Sequence, residues 1–476
     1  MKQLFVAVWQ WIDDRLGISD LIGPSLKHLV PGDARWWYVF GSATMLAFIV
    51  QVVTGVALAF SYVPSSSQAY ETLLFITNNA PFGRFLRGMH YYGASAMVLM
   101  IGAHMAQTFL FGAYKFPREM NWTTGVLLLG FTMAMGFTGQ LLRWDQTAAW
   151  SVVIAAEQAG RVPFVGGWLA RFILGGNTIG GATLSRFFAI HVFLIPALLF
   201  MFIGVHLWLV LRHGISEPPT AGKPVDPKTY REEYHELLEK SGHPFFPDGA
   251  WRDFVFGAGL IIAIALLALL VGPPAIEKPP DPSLLNADPR PDWYLLWYFA
   301  VLALIPAKTE GFVMVLAPAV VGVLLLLVPL VNNKGERAAS RRPWAIAAVL
   351  LTVIMIGSLW IAGAKSPWSP NFNALPLSEA VIGVSSGPVW EGGVLFHDKA
   401  CINCHLIQGD GGRRGPDLTY VGDKLTKSDI IIRIVNGGVN MPAFGTMLKP
   451  GELDALTAFL QSRKRPTAPA GETAGP

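Results

Sequence analysis

Apolar residues in this chain come in long runs rather than in alternation. Seven runs reach the roughly 20 residues that a helix needs to cross a hydrocarbon core. They fall at about 35–61, 86–112, 122–142, 184–211, 252–272, 309–331 and 343–363. Runs of this length predict spanning helices rather than strands. The sixth run contains Pro318 and Pro329, so its borders are the least sharply drawn. Ahead of the first run, Phe5, Val8, Trp9, Ile12 and Leu16 recur at helical spacing, which predicts a helix lying on the membrane surface. Met1–Val30 lacks the long apolar core and small-residue cleavage site of a secretory signal.

Basic residues give the runs a direction. AYKFPRE follows the second run, Arg212, Lys223, Lys228 and Arg231 follow the fourth, and NNKGERAASRRP follows the sixth. All three loops and the N-terminus then share one side, which the positive-inside rule makes the cytoplasm. Seven crossings deliver everything after Ala364 to the opposite side. A stretch rich in Pro, Ser and Asn, SPWSPNFNALPLSEA, reads as a linker there, and PTAPAGETAGP as a disordered tail.

Composition agrees with a polytopic membrane protein: of 476 residues, 52% are hydrophobic and 14% charged. A net charge of +4 gives no sign of a nucleic-acid partner. The chain has two cysteines, both in Cys401-Ile402-Asn403-Cys404-His405. That is the attachment pattern of a covalent haem c, and no further soft ligands stand nearby to suggest zinc. In bacteria this attachment takes place in the periplasm, the side to which the helix count leads.

Four histidines inside apolar runs carry the remaining chemistry. His90 and His104 lie 14 residues apart in the second run, and His191 and His206 lie 15 apart in the fourth. At about 100° and 1.5 Å per residue, each pair lies within roughly 60° of one helix face and about 21 Å apart along the axis. Ionisable side chains at such depth are costly and functional by default. Two helices with two facing histidines each can hold two stacked haems by bis-imidazole ligation. Core histidines bonded to backbone carbonyls are the alternative for any one of them. Gly41 and Gly55 in the first run, and Gly125 and Gly139 in the third, repeat the 14-residue interval. Those runs are antiparallel to their histidine-bearing neighbours. Gly55 and Gly139 therefore fall level with His90 and His191, and Gly41 and Gly125 with His104 and His206. A missing Cβ at each level gives a flat macrocycle room.

Residues 10–365 resemble cytochrome b of quinol–cytochrome c reductases. The resemblance rests on QVVTG, RGMH, YKFPRE, WDQ, TLSRFFAIHVFLIP and the Pro291-Asp292-Trp293-Tyr294 segment. The 15-residue spacing and the three C-terminal helices are similar to the photosynthetic b/f branch. The implied fold class is all-α: a four-helix di-haem bundle, three further transmembrane helices and a small soluble cytochrome c domain. The expected division is a surface segment at 1–32, the di-haem core at 33–222, a three-helix part at 223–365, a linker at 366–387, the cytochrome c domain at 388–465 and a tail at 466–476. The resemblance implies that His90 and His191 bind a low-potential haem on the positive side, and His104 and His206 a high-potential haem on the negative side. Arg87 and Arg118 match arginines near haem propionates. Val39 stands where the b/f branch carries a cysteine for an additional haem, so none is expected to be held covalently there. Gln107 replaces a frequent arginine, and Leu142-Arg143-Trp144 replaces Leu-Pro-Trp.

In Pro291-Asp292-Trp293-Tyr294, Asp292 takes the place of the family's glutamate as base for quinol oxidation, and Trp293 and Tyr294 shape the pocket. The implied reaction bifurcates electrons between a Rieske iron–sulfur protein and the two haems b, coupled to proton translocation. A dimeric complex fed by the quinone pool, in lipid, with a soluble cytochrome c or terminal oxidase downstream, is the setting. A di-haem anchor or relay of a quinone-linked dehydrogenase is the alternative. Arg212, His213, Lys27, His28, Asp13 and Asp14 are candidates for the second, negative-side quinone pocket. In the C-terminal domain His405 is the expected proximal ligand. Met441, in a Met-Pro-Ala-Phe motif that resembles class I cytochromes c, is the distal one, with Met447 as fallback. Pro416 resembles the proline whose carbonyl orients the proximal histidine. The fusion tethers the Rieske protein's electron acceptor near its donor.

Overall fold

Long apolar runs satisfy their backbone groups internally as helices, and the computed structural model has, among its described residues, seven helices long and apolar enough to cross a membrane. It describes residues 1–280, 290–305, 307–366, 370–371, 373–437 and 441–466. The spans are Trp36–Ala59, Gly83–Leu110, Glu119–Leu141, Gly181–His213, Phe245–Leu270, Gly311–Val331 and Pro343–Lys365. The α-helix of the fifth is Ala250–Leu270, and Phe245–Gly249 ahead of it are kinked at Phe246, whose backbone is extended. The expected tail lies almost wholly outside the described residues, as does part of the expected linker. The described residues divide into two compact units, one before and one after Trp360.

In the first unit the first span packs on the second and the third on the fourth. The fifth covers the first two, and the sixth lies on the third. An apolar cluster in the middle of the bundle takes Ala47 and Phe48 from the first span, Met97 from the second, and Ile195 and Leu199 from the fourth, with Leu128 and Phe131 of the third against it. This layer lies between the two histidine levels.

The fourth span is not uniformly α-helical. Ile190–Leu194 form a π-helical turn with His191 inside it, and Pro196, which has no N–H to donate, follows. A π-turn accommodates one extra residue, so it absorbs the difference between the 15-residue and 14-residue histidine spacings. Shorter helices fill the loops: Gln146–Gly160 and Gly166–Leu174 after the third span, and Tyr230–Ser241 after the fourth. The N-terminal segment forms two helices, Lys2–Leu16 and Ile18–Lys27, with Phe5 and Trp9 exposed. It is then anchored where Leu29–Pro31 pairs antiparallel with Gly242–Pro244.

The second unit holds a small helical domain. Helices Pro388–Asp398 and Glu452–Ser462 cross closely, with Gly392 against the Ala455 carbonyl and Phe396 against Phe459 at 5.6 Å. Ile402, Ile407, Ile430 and Leu456 complete its core. A two-residue ladder, Leu406–Ile407 with Asp410–Gly411, follows the cysteine motif.

Candidate haem and quinol sites

The bundle brings the histidines together in the expected pairs. The His90 and His191 rings lie 6.4 Å apart, centroid to centroid, at 76°. One metal held by both rings through bonds of about 2 Å requires ring centres roughly 6 Å apart. His104 lies within electrostatic reach of His206. Each glycine faces its own histidine. A Cβ on Gly55 would sit 3.2 Å from His90 Cε1, one on Gly41 3.3 Å from His104, one on Gly125 3.7 Å from His206, and one on Gly139 2.7 Å from His191.

Hydrogen bonds fix which ring nitrogen is free. Thr54 Oγ1 donates to the Val50 carbonyl at 2.6 Å and lies 2.9 Å from His90 Nδ1. Thr138 Oγ1 donates to Ala134 O and lies 3.0 Å from His191 Nδ1. Thr124 Oγ1 donates to Met120 O and lies 2.9 Å from His206 Nδ1. A hydroxyl has one proton, and a carbonyl can only accept it. In all three cases the ring must therefore donate from Nδ1, which leaves Nε2 as a bare lone pair. That is the tautomer a metal-ligating histidine needs. These threonines were not singled out from the sequence, although the dipeptide Thr-Gly recurs at 54–55, 124–125 and 138–139. The donor set, its tautomers and the glycine gaps fit a haem at each level.

The Pro291–Tyr294 segment lies against the last turn of the third span. Asp292 N faces Gln140 Oε1 at 3.4 Å, and the Tyr294 ring fills the space over Gly136, where a Cβ would meet its hydroxyl at 2.7 Å. The Tyr294 hydroxyl donates to Asp292 Oδ2 at 3.2 Å, and Trp293 Nε1 donates to Ser95 Oγ at 3.1 Å. Burial raises the Asp292 carboxyl pKa, the Arg143 guanidinium and the Tyr294 hydroxyl hold it down, and Asp145 pushes it up again. Arg143 itself pairs with the fully buried Asp145 at 3.5 Å, and Asp145 also caps the helix Gln146–Gly160 by accepting from Ala148 N.

The arginines have protein partners. Arg87 donates to the Pro274 carbonyl at 2.7 Å and to Thr77 Oγ1 at 3.2 Å. Arg118 donates to the carbonyls of His213, Gly214 and Ile215 and to the Tyr230 hydroxyl. It thus ties the start of the third span to the loop after the fourth, an occupation that sequence spacing does not reveal. Tyr230 OH in turn donates to Glu217 Oε2 at 2.7 Å, and Arg337 pairs with Glu217 Oε1 at 2.5 Å. The three basic loops therefore meet at one end of the bundle. Lys115, Arg118, Arg337 and Arg342 are buried there, so much of the basic bias is internal wiring. Of the residues expected at a second quinone pocket, Asp13 accepts from Ser19 N and His28 stacks on Phe245. Arg212 lies over the Trp208 ring. Asp253, not foreseen, lies near Ser42, the neighbour of the His104-facing Gly41. An acid at the start of an apolar run was its signal.

In the second unit His405 is buried, and its Nδ1 lies 2.8 Å from the Pro416 carbonyl, which can only accept. His405 therefore also presents a bare Nε2. A Cβ on Gly415 would lie 2.5 Å from its Cε1. Burial pushes the Cys401 thiol up to about 12, which disfavours the thiolate a metal would want. Met441 is half-buried and follows residues 438–440, which lie outside the described set, whereas Met447 is exposed.

Three family profiles match the chain: cytochrome b/b6/petB over residues 26–214, cytochrome b(C-terminal)/b6/petD over 281–381, and cytochrome C oxidase, cbb3-type, subunit III over 389–460. Cytochrome b6 of Synechococcus sp. (strain JA-3-3Ab) is 37% identical over 211 residues, 44% of this chain and 98% of that protein. The chain belongs to the cytochrome b/b6 family. Cytochrome b6 of Prochlorococcus marinus (strain MIT 9515) is 35% identical over 212 residues, again 44% of this chain and 97% of that protein. A solved chain titled "Hyperthermophilic respiratory Complex III" superposes with a TM-score of 0.64 at 25% identity, covering 82% of this chain and 95% of its own. This family member is thus a multi-pass cytochrome b that carries a cytochrome c domain on the same polypeptide.

Proposed function

We propose that this chain is the cytochrome b/c subunit of a quinol–cytochrome c oxidoreductase that oxidises quinol beside the His90–His191 pair. One observation carries the reading. Within a single turn of the third span, Gly136 receives Tyr294, Gly139 faces His191, and Gln140 meets Asp292. A proton acceptor and a ligand pair thus share one helical turn, about 6 Å long. The respiratory title of the similar solved chain supports the same reaction class.

His90, His191, His104 and His206 would hold two haems b through Nε2. Cys401, Cys404 and His405 would hold one haem c, with Met441 as second ligand. When bound, these haems supply one-electron acceptors, which is what separating the two electrons of a quinol between the b pair and a Rieske partner requires. The chain's own part is protonic and steric. Asp292 takes the quinol proton, Tyr294 OH orients the receiving carboxylate, and Trp293, fixed on Ser95, walls the pocket. Burial keeps the carboxyl basic enough to accept a proton, and Arg143 keeps it from staying protonated. At the other face Asp253 beside Ser42 is the acid placed to deliver protons near His104. The reading includes a bacterial cell membrane, a cytoplasmic N-terminus, an outward cytochrome c domain and proton translocation in a dimeric complex. Substituting Asp292→Asn tests it: quinol oxidation is lost while the b-haem spectra persist. Unchanged turnover overturns the assignment.

A further inference from the structure

Three of the four intramembrane imidazoles are tied through Nδ1, and the fourth is not. His104 Nδ1 is buried and has no hydrogen-bond partner among the described residues. Its cause is legible in the chain. Each tying threonine immediately precedes a histidine-facing glycine, at 54–55, 124–125 and 138–139, but Phe40 precedes Gly41. The Phe40 ring packs edge-on against Phe256 at 6.0 Å and has no oxygen to offer.

We propose that this missing hydroxyl sets the two haem b sites apart in reduction potential, with Phe40 as the positioning residue that makes His104–His206 the weaker-donating pair. The inference rests on the ligation reading above. An Nδ1–H that donates to an acceptor moves electron density toward Nε2 and raises the basicity of the ligand. A more basic ligand stabilises the oxidised metal and lowers the potential. His90 and His191 both have such an acceptor, whereas in the other pair only His206 does. The His104–His206 haem is therefore the higher-potential one. The direction of electron flow from the Asp292 side is then partly written in one apolar residue.

The test uses the purified full chain in its complex, with haem content measured first and redox titration followed at the b-haem absorbance. Phe40→Thr lowers the higher midpoint and leaves the lower one in place. Phe40→Val, of similar size without a hydroxyl, does not lower it. Thr138→Val raises the lower midpoint, and Thr138→Ser retains the parent value. The expected shift is several-fold in the oxidised-to-reduced ratio at fixed potential, where tenfold corresponds to about 59 mV for one electron. If Phe40→Thr fails to retain haem, the Thr138 pair decides by itself. A parent ratio other than two haems b per haem c overturns the ligation reading and this inference with it. A ratio of two with midpoints indifferent to the hydroxyls overturns the inference alone.

Discussion

The glycine gaps permit a graded prediction. A methyl group at Gly139 would sit 2.7 Å from His191 Cε1, closer than side-chain carbons come in folded proteins, and at Gly125 it would sit 3.7 Å from His206, an ordinary contact. The His191 ring cannot easily retreat, because Thr138 holds its Nδ1 at 3.0 Å. Overpacking of this kind costs about 1–3 kcal/mol. Replacing glycine by alanine inside a helix returns about 0.5–1 kcal/mol. Gly139→Ala should therefore lose about 1–2 kcal/mol net, while Gly125→Ala should gain up to about 1 kcal/mol. Gly55→Ala and Gly41→Ala, with contacts of 3.2 and 3.3 Å, should come out near zero. At about 1.4 kcal/mol per factor of ten, Gly139→Ala weakens haem retention roughly tenfold. Thermal loss of b-type absorbance, referenced to the proposed haem c on the same chain, measures this directly. If Gly125→Ala proves as harmful as Gly139→Ala, or if Gly139→Ala is silent, the glycines do not act through these rings.

The remaining predictions concern the other sites. Burial raises the Asp292 carboxyl, so its basic form is lost as pH falls through that raised value, and the quinol oxidation rate should show an acid limb. Arg143→Gln removes the cation that opposes the rise and should move that limb to higher pH, whereas Asp292→Asn should abolish it together with most of the activity. Cys401→Ser with Cys404→Ser should remove haem staining from the denatured chain and leave the b-type spectrum unchanged. Arg337→Ala strands a partly buried Glu217 that accepts from Arg337 at 2.5 Å, and should cost about 3–5 kcal/mol in thermal unfolding of the first unit. Conservative Arg337→Lys should recover only part of this, since one ammonium cannot serve both the carboxylate and the Glu217 carbonyl at the guanidinium's spacing.

Much of the fold was legible because lipid imposes one rule on every span. Run length and apolarity alone gave seven helices, six of them within about three residues of their observed ends. The histidine pairing was legible for the same reason: an ionisable group is conspicuous in an apolar helix. What the sequence hid depends on geometry that composition does not encode. The π-turn at Ile190–Leu194 changes only which carbonyl each N–H reaches, so its traces were Pro196 and one extra residue in the His191–His206 spacing. The loop helices after the third span are short and mixed in polarity. Tyr230–Ser241 buries only Tyr230 and Tyr234, a four-residue repeat on one face that its charged neighbours obscure. The resemblance implies a propionate role for Arg118, and its ties to the His213–Ile215 carbonyls are contacts that spacing does not show.

The distinction between a core histidine and a ligand histidine comes down to which nitrogen is committed. A core imidazole that satisfies itself on carbonyls uses them as acceptors wherever they lie, with no need to leave a particular nitrogen bare. Here the commitment is systematic. His90, His191 and His206 each face a hydroxyl already spent on its own helix, and His405 faces the Pro416 carbonyl. In all four, Nδ1 must donate and Nε2 is left without a proton. Four independent local structures, in two units and on three kinds of backbone, arrive at one tautomer. If these rings were only packing elements, Thr54→Val, Thr124→Val and Thr138→Val would each act on stability alone. If they are ligands whose donor strength is set through Nδ1, the same substitutions must also move the spectrum or midpoint of one haem and spare the other. Thr54→Val and Thr138→Val act on one haem, and Thr124→Val acts on its partner. That sorting of three similar changes into two spectroscopic classes cannot arise from general destabilisation.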